Sequence, residues 1–448
     1  MNKTENNKIS HNTQMRLVIE HLNEVKSGYL LITEKQYIVA IITDGDIRRG
    51  LSRGLSVEND LMEFANKQFV YVSDDFSPSE VLSLFEDGYK FIPVLDNERR
   101  LITVLKPDTF TIGKRLIRKV RSKAPVRLSL AGGGTDLPYY FNKYNDGLVI
   151  NTTINKYAHC TMMLRNDLKI NIISSDLHIE CSYAGLEELK DSSDRLGLIR
   201  AAILEFKPDF GFDLFLSCDF PIGSGLGGSS ALVVSIVAAF NEISALGYSK
   251  KRISEVAFKI ERIDFRINGG WQDQLASSFG GLNVLSFKNG GFTVLSASVS
   301  DRFYHEFSNS IVMCNLADGH DSGMEHRGIK KNLDDYIEGL IKTAKIAQRF
   351  QSALQAEDLD KCMKLIKDGW IAKKHSITHF PSSLSIVEGI CEEFNSYACK
   401  LMGAGSSGYL AIFTPPESRA ALIKKLSELD YEVEKVEFVR EGVETWSI

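Results

Sequence analysis

A glycine-rich run over residues 221–231 is the feature that most constrains this chain. A strand-like segment, Phe212–Cys218, enters the run, and an apolar helical segment over 232–246 leaves it. Glycines in such a loop let the backbone turn sharply and bring its N–H groups close to an anion. Ser229 and Ser230 are residues of the type that caps a helix, whose N-terminus favours negative charge. The strand, loop and helix together predict a phosphate-binding loop.

Spacing separates the kinds of phosphate loop that fit this pattern. A Walker loop has a lysine directly before the serine or threonine, where this chain has Gly228. The dinucleotide fingerprint G-x-G-x-x-G is present at Gly223, Gly225 and Gly228, but it needs a second strand about 20 residues later. The sequence instead continues with helical patterns to residue 245 and over 250–264. A phosphate loop of another kind is favoured, and a glycine turn without a ligand is the alternative.

The composition is that of a globular protein without a nucleic-acid or membrane partner. The 448 residues indicate two or three domains, and a hydrophobic content of 44% is enough for sizeable cores. A net charge of −5 without a block of five or six basic residues argues against nucleic-acid binding. The seven cysteines form no CxxC pair and are expected to be reduced thiols. Residues 1–14 lack an apolar signal core and no apolar run could span a membrane, so we expect a cytoplasmic location.

Residues 14–110 predict a separate unit made of two similar halves. Each half has a helical pattern followed by two strand-like segments. In the first half a further helix opens at Thr43-Asp44-Gly45-Asp46. The strand-like segments are 29–32 and 38–42 in the first half, and 91–95 and 101–105 in the second.

This duplicated unit resembles a tandem pair of CBS domains, an α/β module, over most of residues 1–112. The resemblance is carried by Thr43-Asp44-Gly45-Asp46 after a strand and by Ile92-Pro93-Val94 in the repeat. In that family, residues at the positions of Thr43, Asp44 and Asp46 contact the ribose and phosphate of an adenine nucleotide. The second half lacks a matching Thr-x-x-Asp, so at most one such site is expected. The alternative is a packing module without a ligand, through which two chains form a homodimer.

A basic segment over 113–123 is interpreted as a linker, and residues 124–448 as a second unit with an α+β pattern. Strands and helices follow one another there without a regular βαβ repeat. The expected strands are 126–131, 148–154, 158–164 and 169–174; the expected helices are Gly197–Phe206 and a helix-rich stretch over 336–374.

Two further segments of this unit carry charged residues suited to phosphoryl transfer, which needs an anion cradle, a metal ligand, a base and a cation. Arg127 lies in an expected strand and would face a phosphate or a carboxylate, with a structural ion pair as the alternative. Asp136 follows a glycine turn and would bind sugar hydroxyls, with a helix cap as the alternative. Glu261 ends a helical segment and Asp273 follows another glycine turn, so one would hold Mg²⁺ with a serine hydroxyl while the other takes a proton. Taken alone, such carboxylates are more often solvated surface groups.

These segments, in this order, resemble the three motifs of the GHMP kinases, a family of small-molecule kinases without a Walker loop. Motif 1 corresponds to residues 124–136, motif 2 to 221–231, motif 3 to 400–409, and the base-bearing turn to 270–274. The resemblance implies a two-lobed GHMP kinase fold, with an N-lobe at about 124–300 and a C-lobe at about 301–448.

The resemblance also implies a role for each matching residue. Asp273 is the expected general base, and Arg127 the catalytic cation that keeps it ionised, while Ser229 and Glu261 are the expected ligands of Mg²⁺. The expected contacts with ATP are Pro221, Gly223, Ser224, Gly225, Leu226, Gly227, Gly228, Ser229 and Ser230. The expected contacts with the sugar are Gly133, Gly134, Thr135, Asp136, Gly270, Gln272, Gly403 and Gly405.

Within that family the similarity is strongest to the heptose 7-phosphate kinases, through residues 131–136, 272–274, 279–283 and the pair Trp370 and Lys373. The implied reaction transfers the γ-phosphate of ATP, with Mg²⁺, to the C1 hydroxyl of D-glycero-D-manno-heptose 7-phosphate, giving the 1,7-bisphosphate.

The chain also departs from those kinases. Ser406-Ser407 stands where they usually have two glycines, and His320 where they usually have an arginine. If that arginine binds an acidic group of the substrate, another cation must replace it here. The candidates are Arg327, Lys330, Lys331, Lys373 and Lys374, with solvated helix faces as the alternative interpretation.

Two other functions stay open at this point. One is an anomeric kinase of the fucokinase kind, acting on an unphosphorylated sugar. The other is a nucleotide-sensing regulatory protein whose kinase half is inactive. The presence of Arg127, Ser229, Glu261 and Asp273 argues against the second.

Overall fold

The computed structural model describes residues 7–25, 28–73, 76, 78–96, 98–107, 119–316, 333–375, 377, 380–403 and 408–448. The chain divides into two compact units, Met1–Leu116 and Ile117–Ile448. The prediction of a linker over 113–123 is wrong for residues 119–123, which begin the first strand of the second unit. Apolar residues at alternate positions, such as Val120, bury one face of that segment in the core. Residues 113–118 lie outside the described residues.

The N-terminal unit contains two small sheets with the same topology. Each sheet has three strands, of which the first two are parallel and the last two antiparallel. The predicted duplication is therefore confirmed, and each half gains a short leading strand that the sequence did not indicate. The strands are β1 (Lys8–Ser10), β2 (Tyr29–Glu34), β3 (Tyr37–Thr43), β4 (Val72–Ser73), β5 (Ile92–Leu95) and β6 (Leu101–Leu105), and the helices are α1 (Met15–Val25), α2 (Asp44–Ser52), α3 (Leu61–Phe64) and α4 (Pro78–Glu86).

The strand β2 is buried on both of its faces and joins the two halves. Leu30 and Ile32 pack in the core that contains α1, whereas Leu31 packs with Leu95 of the second half. The ring of Tyr29 stacks on Phe91 with centroids 3.8 Å apart. Successive side chains of a strand point to opposite faces, so an unbroken apolar run such as Tyr29-Leu30-Leu31-Ile32 requires a core on each side.

The second unit mixes helices with mainly antiparallel strands, which confirms the predicted α+β class. Its strands are β7 (Lys119–Ala131), β8 (Gly147–Leu164), β9 (Ile170–Ser174), β10 (Ile179–Tyr183), β11 (Phe212–Cys218), β12 (Leu282–Lys288), β13 (Gly291–Ser296), β14 (Ile311–Asn315), β15 (Ala398–Leu401), β16 (Tyr409–Phe413), β17 (Val433–Lys435), β18 (Phe438–Val439) and β19 (Glu444–Ser447). Its helices are α5 (Pro138–Tyr144), α6 (Leu186–Asp191), α7 (Gly197–Phe206), α8 (Gly228–Ile243), α9 (Lys250–Phe258), α10 (Gln272–Phe279), α11 (Asp301–Asn309), α12 (Leu333–Gln355), α13 (Leu359–Lys374), α14 (Leu384–Glu393) and α15 (Pro416–Ser427), with a π-helical turn over Lys259–Asp264.

A nine-stranded sheet forms the framework of this unit, and the long strand β8 lies at its centre. It pairs antiparallel with β7, β11, β12 and β18. The prediction of two strands at 148–154 and 158–164 is wrong, because residues 155–157 stay extended and join them into one strand. Tyr157 pairs with Pro125 of β7, and the N–H of Asn155 donates to the carbonyl of Glu437 at 3.0 Å, so the polar stretch between the two apolar segments stays extended.

A second sheet, in the order β15-β16-β14-β17, belongs to the C-terminal part of the unit. The predicted division into lobes at 124–300 and 301–448 does not hold at the C-terminus. There β18 pairs with β8 and β19 pairs with β7, so the last strands of the chain complete the first sheet.

The strand β7 carries a bulge that matters for the site. Its register against β8 shifts between Pro125 and Arg127. Proline has no N–H for the ladder, and a bulge at such a position redirects the following residue. The backbone N–H of Arg127 donates instead to the carbonyl of Leu226, at 3.1 Å. The bulge thus attaches the strand to the glycine-rich loop.

The helix α8, which follows that loop, is deeply buried. Its apolar residues from Ala231 to Phe240 lie in the main core of the unit. Phe240 stacks on Phe206 at a centroid distance of 4.5 Å and meets Phe212 edge-on at 5.6 Å. The loop before α8 is therefore held by a helix that has little freedom to move.

The seven cysteines all lie in the described residues and none is in a disulfide, as expected for reduced thiols. Among the described helices, none combines the length and the apolar character needed to cross a bilayer.

Replacing Phe240 with alanine should destabilise this unit by about 3–5 kcal/mol, since it removes a fully buried ring and leaves a cavity. All three tryptophans (Trp271, Trp370 and Trp446) lie in this unit, so urea unfolding followed by their fluorescence reports on it. The matched control is Phe215→Ala on β11, where the ring is 38% exposed, with an expected cost below about 1 kcal/mol. Equal costs for the two variants would contradict the placement of α8.

Candidate active site

The glycine-rich loop runs from the end of β11 to the start of α8, as the sequence predicted. Gly223, Gly225 and Gly227 all have positive φ, between 72° and 79°, a region that favours glycine. The side chain of Leu226 is buried and anchors the loop in the core. The nine residues predicted to contact ATP lie together in this loop and in the first turn of α8.

The prediction that Ser229 and Ser230 cap α8 is wrong. The helix already begins at Gly228, and Gly227, in the left-handed conformation, takes the N-cap position without a side-chain hydrogen bond. The two serines therefore lie inside the first helical turn. Their hydroxyl groups point to a carboxylate instead of to the backbone.

That carboxylate is Glu261, which is fully buried in the π-helical turn. Oε1 accepts a hydrogen bond from Ser229 Oγ and Oε2 one from Ser230 Oγ, both at 2.6 Å. Gln274 Nε2 also donates to Oε2, at 2.6 Å. A buried carboxylate is costly unless it is paired or hydrogen-bonded, and these three donors satisfy it. A π-helical turn inserted after a regular helix often marks a functional site, and here it carries Glu261.

Asp273 and Arg127 form an ion pair at the other side of the glycine-rich loop. Arg127 Nε donates to Asp273 Oδ1 at 2.8 Å, and Nη1 donates to the carbonyl of Gly225 at 2.7 Å. Burial acts to raise the pKa of Asp273, but the charge and hydrogen bond of Arg127 outweigh it and hold that pKa below its ordinary value. The carboxylate is therefore ionised and ready to accept a proton at neutral pH.

The turn that carries Asp273 is fixed by packing. The indole of Trp271 stacks on Phe258 with centroids 3.6 Å apart. The side chain of Gln272 accepts a hydrogen bond from Ser129 Oγ at 2.9 Å. These contacts hold the start of α10 against β7, and so they hold Asp273 opposite Arg127.

Asp136 is buried against the same turn. Its Oδ2 accepts from the backbone N–H of Gln272 at 2.9 Å, and its Oδ1 from that of Gly134 at 3.1 Å. A Cβ at Gly270 would overlap Oδ2, so only glycine admits Asp136 here. Burial raises the pKa of Asp136, against the hydrogen bond from Gln272, and the nearby charge of Asp273 adds to the rise. Asp136 does not cap the helix that follows it, since α5 has its N-cap at Leu137.

One residue predicted to contact the substrate, Thr135 in the turn before Asp136, has a structural role instead. Thr135 is fully buried, and its hydroxyl accepts from the N–H of Leu148 while its single hydrogen is shared between the carbonyls of Gly132 and Leu148, 2.8 and 2.9 Å away. Its side chain therefore maintains the turn and is not available to a ligand. Gly133 lies beside Ser129 and Gly134 beside Leu340, so both pack closely in the turn.

The described ends of motif 3, residues 400–403 and 408–409, pack directly on the glycine-rich loop. A Cβ at Gly225 would lie 2.8 Å from the carbonyl oxygen of Met402, and one at Gly403 would lie 2.6 Å from Gly225 Cα. The N–H of Tyr409 donates to the carbonyl of Ser224 at 3.1 Å. Gly403 is thus placed beside the loop, whereas Gly405 and Ser406-Ser407 lie outside the described residues.

Two lysines reach the site from the C-terminal part of the unit. Lys373 Nζ donates to the carbonyl of Gly403 at 2.5 Å, and Lys400 Nζ to that of Ser129 at 2.6 Å. Burial, with the positive charge of Arg127 nearby, lowers the pKa of Lys373 to about 8. Burial likewise lowers the pKa of Lys400 well below its ordinary value. Lys373 is therefore not a solvated helix residue, which was the alternative interpretation for it.

The other predicted cation candidates differ. Lys374 forms an ion pair with Glu388 at 2.5 Å, and Glu388 also accepts from Trp370 Nε1 at 2.7 Å. This pairing gives Lys374 a structural partner on α14. The remaining candidates and the departure at position 320 lie outside the described residues: His320, Arg327, Lys330 and Lys331.

The predicted nucleotide contacts of the N-terminal unit lie at the start of α2. Thr43 and Asp46 form a reciprocal capping box, in which the N–H of Asp46 donates to Thr43 Oγ1 at 3.3 Å and the N–H of Thr43 donates to Asp46 Oδ2 at 2.9 Å. Asp44 occupies the first helical position between them. Asp46, Arg49 and Arg53 line a cavity of about 830 Å³.

The oxygen atoms of Ser229 and Glu261 fit a magnesium ion. Both are hard ligands, and Mg²⁺ in nucleotide enzymes is commonly held by one or two protein oxygens together with phosphate oxygens. Within the described ranges, no group of three or more His, Cys, Asp or Glu side chains is arranged to hold a metal ion. With two protein oxygens, a magnesium ion at Ser229 and Glu261 would be shared with the phosphates of ATP.

The roles of several residues of this site were not predicted from the sequence. Gln274, which donates to Glu261, lies in the Gln-Asp-Gln segment of the base-bearing turn, and that position was the only sequence feature that pointed to it. Ser230 was expected to contact ATP, whereas its hydroxyl donates to Glu261. The hydrogen bond from Lys400 to Ser129 of β7 could not be predicted from local pattern, because the two residues are 271 positions apart.

Comparisons with known proteins identify the family of this chain. The family profile "GHMP kinases N terminal domain" matches residues 197–281, and a "CBS domain" profile matches residues 60–102. The chain is similar to the L-fucokinase/L-fucose-1-P guanylyltransferase of Bacteroides fragilis, at 26% identity over 68% of this chain and 36% of that longer protein. A solved structure described as a D-glycero-D-manno-heptose 1-phosphate kinase from Bacteroides thetaiotaomicron matches with a TM-score of 0.63 and 30% identity, over 73% of this chain and 99% of that one.

A further relative decides the family. The D-glycero-alpha-D-manno-heptose 7-phosphate kinase of Campylobacter jejuni is 32% identical over 342 residues, which are 74% of this chain and the whole of that protein. Since this relative is more than 30% identical and is covered over its whole length, and since the GHMP kinase profile also matches, the chain belongs to the GHMP kinase family and carries a CBS domain in its N-terminal unit.

Proposed function

We propose that this protein transfers the γ-phosphate of ATP to the C1 hydroxyl of D-glycero-D-manno-heptose 7-phosphate, in a cytoplasmic reaction that requires Mg²⁺. One observation carries the proposal. Arg127 contacts both the carboxylate of Asp273 and the carbonyl of Gly225, so a base and the glycine-rich loop share one cation. The relative from Campylobacter jejuni, which is named as a kinase of this substrate, supports the choice of sugar.

The chain's own residues account for the steps of such a transfer. The glycine-rich loop would hold the phosphates of ATP, and Ser229 and Glu261 would hold Mg²⁺, which neutralises phosphate charge when bound. Asp273 would accept the proton of the attacking hydroxyl. Arg127 would keep Asp273 ionised and stabilise the oxyanion as it forms.

Asp136 would orient the sugar. It lies beside the base-bearing turn, and the two backbone N–H groups that bind it fix the direction of its carboxylate. An anomeric hydroxyl is more acidic than an ordinary alcohol. A carboxylate with a lowered pKa, such as Asp273, is a weak base. It accepts a proton more readily from an anomeric hydroxyl than from the less acidic hydroxyl of an ordinary alcohol.

The alternative sugar is an unphosphorylated one. The similarity to the L-fucokinase/L-fucose-1-P guanylyltransferase of Bacteroides fragilis supports it. A regulatory protein with an inactive kinase half is disfavoured, since Glu261 and Asp273 both retain the hydrogen-bonding partners described above.

The choice between sugars is tested by ADP release against a panel of reducing sugars and their terminal phosphates. We expect turnover with heptose 7-phosphate and little with the free heptose. Turnover confined to unphosphorylated sugars would exclude the 7-phosphate substrate. No turnover on any member of the panel would favour the regulatory alternative.

Replacing Asp273 with asparagine should lower kcat by about 10²–10⁴, the usual effect of removing a general base. The matched control is Asp209→Asn, because Asp209 is an exposed aspartate in the connection between α7 and β11. Near-normal turnover of the Asp273 variant, with ATP binding intact, would remove Asp273 from this role.

The charge of Lys373 should set the alkaline limit of activity. Its pKa of about 8 means that the ammonium group loses its proton as the pH rises through 8, whereas phosphate groups are already fully ionised there. We expect kcat/KM to fall above pH 8. Arginine stays charged, so Lys373→Arg should move this fall to higher pH. Identical profiles for the two proteins would show that the charge at this position does not affect the reaction.

For the N-terminal unit we propose binding of an adenine nucleotide near Thr43, Asp44 and Asp46, supported by the CBS profile match. Calorimetry of the full chain should show binding of AMP. This nucleotide lacks the β- and γ-phosphates that the glycine-rich loop of the kinase site would hold. If no heat is released, the alternative of a ligand-free homodimerisation module gains support, and sedimentation would then measure the dimer.

A further inference from the structure

Two tyrosines lie beside the carboxylate that would orient the sugar, and the proposed reaction has not used them. Tyr139 is the second residue of α5 and follows closely after Asp136. Tyr336 lies in the first turn of α12. A hydrogen bond joins the two hydroxyls, although the residues come from distant parts of the chain. The pair therefore links α5 to α12 next to the turn that ends in Asp136.

The first turn of α12 rests on motif 1. A Cβ at Gly134 would lie 2.8 Å from Leu340 Cδ2 and 3.8 Å from the hydroxyl oxygen of Tyr336. The N–H of the same glycine donates to Asp136 Oδ1 at 3.1 Å. Tyr336 also packs against the apolar cluster that includes Leu340, and so does Trp271 of the base-bearing turn. These contacts hold the Tyr336 hydroxyl close to Asp136 and to the turn that carries the base.

The two hydroxyls and the carboxylate have hydrogen-bonding capacity left for a ligand. Burial raises the pKa of both tyrosines, and the charge of Asp136 adds to the rise, so both keep their hydrogens at neutral pH. The bond between the hydroxyls uses one of their two hydrogens. Asp136 accepts from the N–H groups of Gly134 and Gln272, whereas a carboxylate has about four acceptor positions. A sugar hydroxyl, which both donates and accepts, fits between such groups.

The ring of Tyr139 supplies an apolar surface at the same place. The residue is 49% exposed, although its hydroxyl is tied to α12. A tyrosine with an open ring and a bound hydroxyl suits a ligand that is apolar on one face and polar at its edge, as a pyranose is. Packing alone does not account for the hydroxyl pair, because Leu340 already holds α12 on motif 1.

We propose that Tyr139 and Tyr336 determine specificity for the sugar. Tyr336 accepts from Tyr139 and donates to the sugar hydroxyl that Asp136 binds, while the ring of Tyr139 covers the apolar face of the sugar. This proposal rests on the proposed function, from which it takes a monosaccharide as the acceptor. Because Gln272 donates to Asp136 and directly precedes Asp273, a sugar held in this way has a fixed orientation relative to the base.

The experiment compares Tyr336→Phe and Tyr139→Ala with Tyr397→Phe in the full-length protein. Tyr397 is 38% exposed, lies in the connection between α14 and β15, and serves as the matched control. Tyr336→Phe should raise KM for the sugar about three- to tenfold, the effect of losing one hydrogen bond, and leave KM for ATP within about twofold. Tyr139→Ala should raise KM for the sugar at least about tenfold, because the ring contact is lost as well. Thermal unfolding checks that each variant folds.

Sugars that lack one hydroxyl give a readout that a merely structural role would not change. One monodeoxy analogue should have a raised KM with the wild type, and Tyr336→Phe should raise the KM of that analogue no further. If heptose 7-phosphate is turned over and the variants leave its KM unchanged, or change KM for ATP equally, the tyrosines only brace α12 and the proposal is overturned. If another sugar is the substrate and its KM rises as described, the proposed substrate fails while the tyrosine contacts stand. If no sugar is turned over, both are overturned.

Discussion

The contact of Arg127 with both Asp273 and the Gly225 carbonyl is the interaction on which the site depends. It joins a strand, a glycine-rich loop and the turn before α10 through one guanidinium group. The bulge at Pro125 makes this possible, since it frees the backbone N–H of Arg127 for the carbonyl of Leu226. A flexible side chain such as lysine could not supply the two fixed donors.

Buried charge is the main energetic constraint of the site. Three carboxylates (Asp136, Glu261 and Asp273) and four cations (Arg127, Arg262, Lys373 and Lys400) lie within the same region of the second unit. Each would be strongly unfavourable alone, so each is tied to backbone groups or to a neighbour of opposite charge. Such a cluster is already oriented before ligands bind, and preorganised dipoles and charges are what electrostatic catalysis requires.

The sequence predicted the parts of this structure that depend on local pattern. The strand, glycine loop and helix around residues 221–231 were recognisable from composition and spacing, and so was the duplicated N-terminal unit. The proximity of Arg127 to Asp273 came from the family resemblance and agrees with the structure, whereas their chemical roles stay predictions.

The parts that the sequence did not predict depend on contacts between distant residues. The continuity of β8 results from its partner strands, and the return of β18 and β19 to the large sheet joins the two ends of the unit. The helix α8 starts before Ser229 because Gly227 adopts a left-handed conformation at the N-cap. The Ser229 hydroxyl then donates to Glu261 instead of to the helix backbone. The buried position of Lys373 likewise follows from its contact with the carbonyl of Gly403, which lies 30 residues away and which periodicity does not show.

The most direct test of the central claim is a crystal structure with Mg²⁺, a non-hydrolysable ATP analogue and heptose 7-phosphate. The account predicts a metal ion held by Ser229 Oγ and Glu261, and a C1 hydroxyl at a hydrogen-bond distance of about 2.6–3.2 Å from the Asp273 carboxylate. A metal bound by other residues, or a hydroxyl other than C1 nearest to Asp273, would contradict it.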